Sequence, residues 1–86
     1  MPRALSVHRA IVPSVDRARY LERLRARKDH YERAGCKFWV FEEAALAGAF
    51  IEFTESTDPA VLSAAHTGAP EQVLDPARIY VEVELT

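Results

Sequence analysis

The hydrophobic period of this chain switches from two residues to about 3.6 and back again, twice, and few folds accommodate that order. From Leu5 to Val12 the residues alternate, with Leu5, Val7 and Ile11 on one side and Ser6, His8 and Ala10 on the other. Arg9 interrupts the apolar side. Pro13 ends the run, Ser14 is placed to cap a helix, and Asp16 suits the positive end of its dipole. A helical stretch then runs to about Ala34 and stops at Gly35, the residue best fitted to a left-handed terminus. Its apolar stripe reads Tyr20, Leu21, Leu24 and Tyr31 with Lys28 among them, and Glu22, Ala26, Asp29 and Arg33 lie opposite.

Two β-rich runs follow, Cys36 to Glu43 and Gly48 to Glu55, at the separation of a hairpin. Asp58 and Pro59 start a second, short helix, since aspartate caps and proline at the first position has no N–H to satisfy. It closes near Gly68, and one further helical turn fits through Gln72 and Leu74. Arg78 to Leu85 has the cleanest alternation, with Ile79, Val81, Val83 and Leu85 set against Tyr80, Glu82 and Glu84.

Strand, helix, hairpin, helix, strand is the split β-α-β order: an α+β, ferredoxin-like domain with a four-stranded antiparallel sheet and both helices on one face. The whole chain, residues 1–86, reads as one such domain. If Leu5, Val7, Val40, Ile51, Phe53, Val81 and Val83 face the helices, the open face carries His8, Trp39, Phe41, Phe50 and Tyr80 among Lys37, Glu52, Glu82 and Glu84. Aromatic side chains bury roughly 150–250 Å² each, and four on one small face need a cover. A second copy of the chain supplies it with the same patch used twice. The chain is therefore expected to form a homodimer through His8, Trp39, Phe41, Phe50, Glu52 and Tyr80.

Composition narrows the function classes. A chain of 86 residues holds one small core, which association would enlarge. The net charge of −2, with basic residues gathered in the first helix and the acidic excess in the second half, argues against a nucleic-acid partner. The basic residues of the helix interleave with Glu22, Asp29 and Glu32, as on a solvated face. A lone cysteine, Cys36, offers neither a disulfide nor a thiolate metal site, which fits a reducing cytoplasm. No apolar run approaches the roughly 20 residues needed to span a bilayer, so no membrane partner is expected.

Four residues stand out for chemistry. His66 lies four positions after Leu62, on the sheet side of the second helix, where an imidazole serves as general acid or base. Tyr31 shares the first helix's stripe with Lys28. Arg9 on an apolar strand face needs an anionic partner. Together Arg9, Lys28, Tyr31 and His66 would line a helix–sheet pocket for a small anionic or enolisable aromatic compound, with His66 and Tyr31 catalytic and Arg9 and Lys28 binding. Each also has a structural reading: a hydrogen-bonded histidine at the core's rim, an arginine turned outward by a bulge, a lysine laying its methylenes on the core, a core tyrosine. His8 with Glu52 or Glu82 lacks a third ligand at good spacing, so no metal is expected. His30 falls off the stripe and is expected in solvent.

The element order, together with Phe50-Ile51-Glu52-Phe53, Asp58-Pro59-Ala60-Val61-Leu62 and His66, resembles the dimeric α/β-barrel superfamily and, within it, the antibiotic biosynthesis monooxygenase-like proteins. That resemblance implies a homodimer binding a small organic molecule between sheet and helices without a cofactor, as a monooxygenase or an isomerase. A non-enzymatic dimerisation or ligand-sensing module and a haem-binding or haem-degrading protein are the alternatives it leaves. The chain departs from the oxygenases at Thr54, where an aromatic residue is common, and from several oxygenases and haem degraders in containing no asparagine.

Overall fold

The structure, a computed structural model, describes residues 3–69 and 78–85. β1 (Ala4–Ile11) is followed by a 3₁₀ turn (Ser14–Asp16) and α1 (Arg17–Arg33), then by β2 (Lys37–Glu42), β3 (Ala49–Ser56), α2 (Pro59–Thr67) and β4 (Ile79–Val81). The strands form one sheet in the order β2-β3-β1-β4, every neighbouring pair antiparallel. Both helices pack on one face, which gives the expected ferredoxin-like α+β fold.

The local signals act where the residue chemistry puts them, with one exception. Gly35 takes φ +84° after α1, and the Asp58 side chain accepts from Ala60 N–H at 2.7 Å to cap α2. Ser14 does not cap α1. It opens the 3₁₀ turn, and α1 starts at Arg17 with no side-chain cap bond at Asp16. β4 is shorter than its alternation: only Ile79–Val81 pair with β1, and Glu82 N–H adds one bond to the Arg3 carbonyl. The helical turn expected through Gln72 and Leu74 lies outside the described residues.

The hairpin between β2 and β3 turns on Gly48, at φ +89°. A Cβ there would meet the Val12 carbonyl oxygen at 2.5 Å, so the chain crosses β1's end where only glycine passes. Val12 N–H bonds to Gly48 O at 2.8 Å, and Glu42 holds the turn from the other side. Its carboxylate takes Gly48 N–H at 2.8 Å and both Arg17 amino groups at 2.7 and 2.9 Å. The Arg17 bonds, then the Gly48 N–H, hold the Glu42 carboxyl down at about 2. A depressed acid stabilises the fold above its unfolded value and loses that contribution as pH falls through the folded one. Glu42→Gln is therefore expected to leave a protein whose thermal midpoint falls less than wild type's between pH 5 and pH 2; parallel falls in the two proteins would show that the turn does not depend on this carboxylate.

The sheet faces are the main surprise. Ala4, Ser6, His8 and Ala10 of β1 pair with Ser56, Thr54, Glu52 and Phe50 of β3, and this row lies under the helices. Leu5, Val7, Arg9 and Ile11, with Ile51, Phe53 and Glu55, lie on the open face beside Lys37, Trp39 and Phe41 of β2. The expected orientation is thus right for β2 and for Tyr80 of β4, and reversed for β1 and β3. The cause lies in α1, which brings two tyrosine rings and an arginine down onto the sheet. Small and polar strand residues make room for them, and Glu52 finds its partners there. The core is Tyr20, Leu24, Tyr31, Phe38, Phe50 and Leu62 with Ala4, Cys36 and Ala65; Tyr31 stacks on Phe38 with ring centres 5.4 Å apart.

Candidate functional site

Two polar clusters sit between the helices and the sheet. The first joins α1 to β3. Tyr20 Oη donates to Glu52 Oε2 at 2.7 Å, and Arg27 Nη1 stands 2.7 Å from Glu52 Oε1. Arg27 is 7% exposed and Glu52 2%, so this is a buried ion pair. Its charges are matched and its hydrogen bonds are not. The guanidinium is out of line with Oε1, and both Arg27 Nε and Glu52 Oε1 have no hydrogen-bond partner among the described residues. Burial, then the bond to the Glu52 carboxylate and its charge, push the Tyr20 phenol well above its ordinary value, so Tyr20 keeps its proton.

The second cluster joins α1, α2 and β1. His66 has both ring nitrogens occupied, Nδ1 2.8 Å from Tyr31 Oη and Nε2 2.8 Å from Ser6 Oγ. Tyr31 is fully buried, whereas His66 and Ser6 are only partly so. Burial, then the charges of Arg27 and His30, lower the imidazole's pKa, so it is neutral at pH 7. Burial raises Tyr31, and the Arg27 guanidinium beside its hydroxyl works in the opposite direction. Arg27 therefore touches both clusters electrostatically and links them.

Helical spacing explains the convergence. Tyr20, Leu24, Arg27 and Tyr31 are spaced by four, three and four residues, so they form one stripe on α1 and are its buried residues. The sheet presents Ser6 and Glu52 from the helix-facing row, and α2 brings His66 four residues after the buried Leu62. The structure thus brings His66 and Tyr31 together as expected. It does not bring Arg9 or Lys28 to them. Arg9 is exposed on the opposite side of the sheet, and Lys28, 56% exposed, stands 3.9 Å from Glu32 along the helix. Lys28 follows the centre of the stripe by one residue; Arg27 occupies the centre. The spacing of four back from Tyr31 falls on Arg27, which the stripe read from the sequence did not include.

Of the expected interface residues, Trp39, Phe41 and Tyr80 are on the open face and exposed. His8, Phe50 and Glu52 are not, because they belong to the helix-facing row. His30 is also displaced from its expected place: its Nε2 bonds the Ala65 carbonyl at 2.8 Å and it is partly buried. On the open face, Leu5, Trp39, Phe41, Phe53 and Tyr80 line a concavity of about 430 Å³, with Arg3, Glu55 and Glu82 at its edge. Arg3 bonds Glu82 at 2.8 Å and Glu55 at 3.4 Å.

Among the described residues, no group of three His, Cys, Asp or Glu could hold a metal ion, and no helix is long and apolar enough to cross a membrane. The chain matches no family model, no curated protein and no solved structure.

Proposed function

We propose that this chain works as a homodimer packed through its open sheet faces, and that each subunit uses His66 and Tyr31 for proton transfer on a small organic molecule, without a cofactor. One observation carries the chemical half: a neutral imidazole held at both nitrogens, between a buried phenol and a strand hydroxyl, with a buried guanidinium alongside. A neutral histidine accepts a proton at pH 7, and its two bonded neighbours pass one on. Arg9 and Lys28 have no part in this reading, and Arg27, paired with Glu52, acts on His66 and Tyr31 through its charge.

The haem alternative does not fit these residues. An axial histidine presents a free ring nitrogen to iron, and on His66 that nitrogen is engaged with Ser6. A second reading is supported by a different observation. Arg27 and Glu52 neutralise one another with Tyr20 bonded to the carboxylate, and a concavity of about 430 Å³ is on the sheet's other face, as a dimerisation module without chemistry would have it.

Native mass spectrometry of protein purified directly from cells separates the two. Wild type is expected to carry a small organic mass on each subunit of a dimer, and His66→Gln is expected to lose it. A bare dimer from both proteins would sink the proton-transfer reading and leave the module.

A further inference from the structure

We propose that His30 is the positioning residue of this site: from α1 it caps the last turn of α2 at the Ala65 carbonyl, and so holds His66 between Tyr31 and Ser6. The inference depends on the proton-transfer reading above for its functional meaning, and it adds the residue that sets where the proton-accepting group stands.

The backbone of α2 creates the need. The last carbonyls of a helix lack an intrahelical donor, and a buried one must find a partner elsewhere. At the end of α2, Gly68 N–H bonds to Ala64 O at 3.1 Å. Ala69 N–H, the donor that helical geometry would give to Ala65 O, bonds to His66 O at 3.2 Å instead. Ala65 is 4% exposed, so water has little access to its carbonyl. His30 Nε2 meets that carbonyl at 2.8 Å. A carbonyl only accepts, so the proton is on Nε2 and the direction of the bond is settled by its partner. The ring also lies against the helix end, since a Cβ at Gly68 would be 3.6 Å from His30 Cε1.

Two adjacent residues of α1 thus grip two adjacent residues of α2. His30 bonds the Ala65 backbone, and Tyr31 Oη is 2.8 Å from His66 Nδ1. The two contacts restrain different motions. Tyr31 and Ser6 hold only the imidazole, which turns about its own side-chain bonds. His30 holds the backbone one residue earlier, and a helix turned by one residue carries each side chain through about 100°. α2 has nine residues, and a helix that short is held by tertiary contacts rather than by its own propensity. Releasing Ala65 frees its end, and His66 then leaves both hydroxyl partners.

Two variants separate the bond from the ring. His30→Gln keeps an N–H donor at the reach of Nε2 and loses the ring. His30→Phe keeps the edge contact with Tyr31, 5.1 Å between ring centres, and loses the donor. Both remove the His30 charge, so a difference between them reports the bond. NMR of labelled protein is expected to show His66 titrating below the ordinary histidine range in the wild type and in His30→Gln, where burial still disfavours the charged ring, and closer to that range in His30→Phe. Amide exchange in the last turn of α2 is expected to rise about tenfold in His30→Phe alone, the loss of one hydrogen bond, with the β1 and β3 amides unchanged. Equal His66 titration in the two variants overturns the positioning role. So does a wild-type His30 whose neutral ring carries its proton on Nδ1, a result that needs no variant to fold. Neither readout needs a bound molecule, so a bare dimer in the mass spectra removes the proton-transfer reading while these measurements still decide what places His66.

Discussion

Arg27→Met is expected to lower the free energy of unfolding by about 3–5 kcal/mol, because it strands the Glu52 carboxylate without its cation in a nearly dry interior. The loss should be mostly reversed in the double variant Arg27→Met/Glu52→Leu. Removing both charges removes both desolvation costs, and apolar side chains of similar volume fill the space. Urea unfolding of the wild type, the two single variants and the double variant measures the coupling directly. A double variant as unstable as the single one would mean that the ion pair contributes through its shape rather than its charge. Tyr20→Phe belongs in the same series, since Tyr20 supplies the aligned hydrogen bond to that carboxylate.

Phe41→Asp is expected to convert the proposed dimer to a 9.7 kDa monomer without unfolding it. Phe41 is 54% exposed on the open face, beside Phe53 at 5.7 Å between ring centres, so its removal takes little from the subunit's own core. In a two-fold interface the change appears twice. Losing about 1.5–3 kcal/mol of apolar burial at each site weakens association by about 3–6 kcal/mol, a hundred-fold or more. Sedimentation equilibrium across protein concentrations gives the number. Val61→Asp, on the outer side of α2, serves as the control and should leave the dimer intact. A wild type that is monomeric at high concentration, or a Phe41→Asp protein that dimerises like it, would remove the homodimer from the proposal.

The element order was legible because its signals are local. Pro13, Gly35, Asp58 and Pro59 act within a turn of their own position, and the switch of hydrophobic period places strands and helices between them. The strand faces were not legible to the same degree. Alternation tells which residues share a face, and only tertiary packing tells which face meets the helices. Choosing the more apolar row was correct for β2, where Phe38 and Val40 are inside. It failed for β1 and β3, where Leu5, Val7, Ile51 and Phe53 form the apolar row and yet lie outside.

His66 and Tyr31 were found because each sits at helical spacing from an apolar neighbour. Glu52 and Arg27 were misplaced for one shared reason. Each is a poor core residue alone, and each becomes acceptable only opposite the other, across a contact of 25 residues' separation that no local window contains. Ser6 gave no signal of its own; it matters because it lies between β3 and β4 under α2, beside His66.

The reversed sheet also governs how the folded state is reached. A subunit that places Ser6, Glu52, Thr54 and Ser56 against its helices, and Leu5, Val7, Ile51 and Phe53 outside, defers much of its apolar burial until a second copy arrives. In the proposed dimer, association adds that burial to a subunit that already holds its own core, and the melting temperature rises with protein concentration as mass action requires. Dilution would release a folded subunit of lower melting temperature.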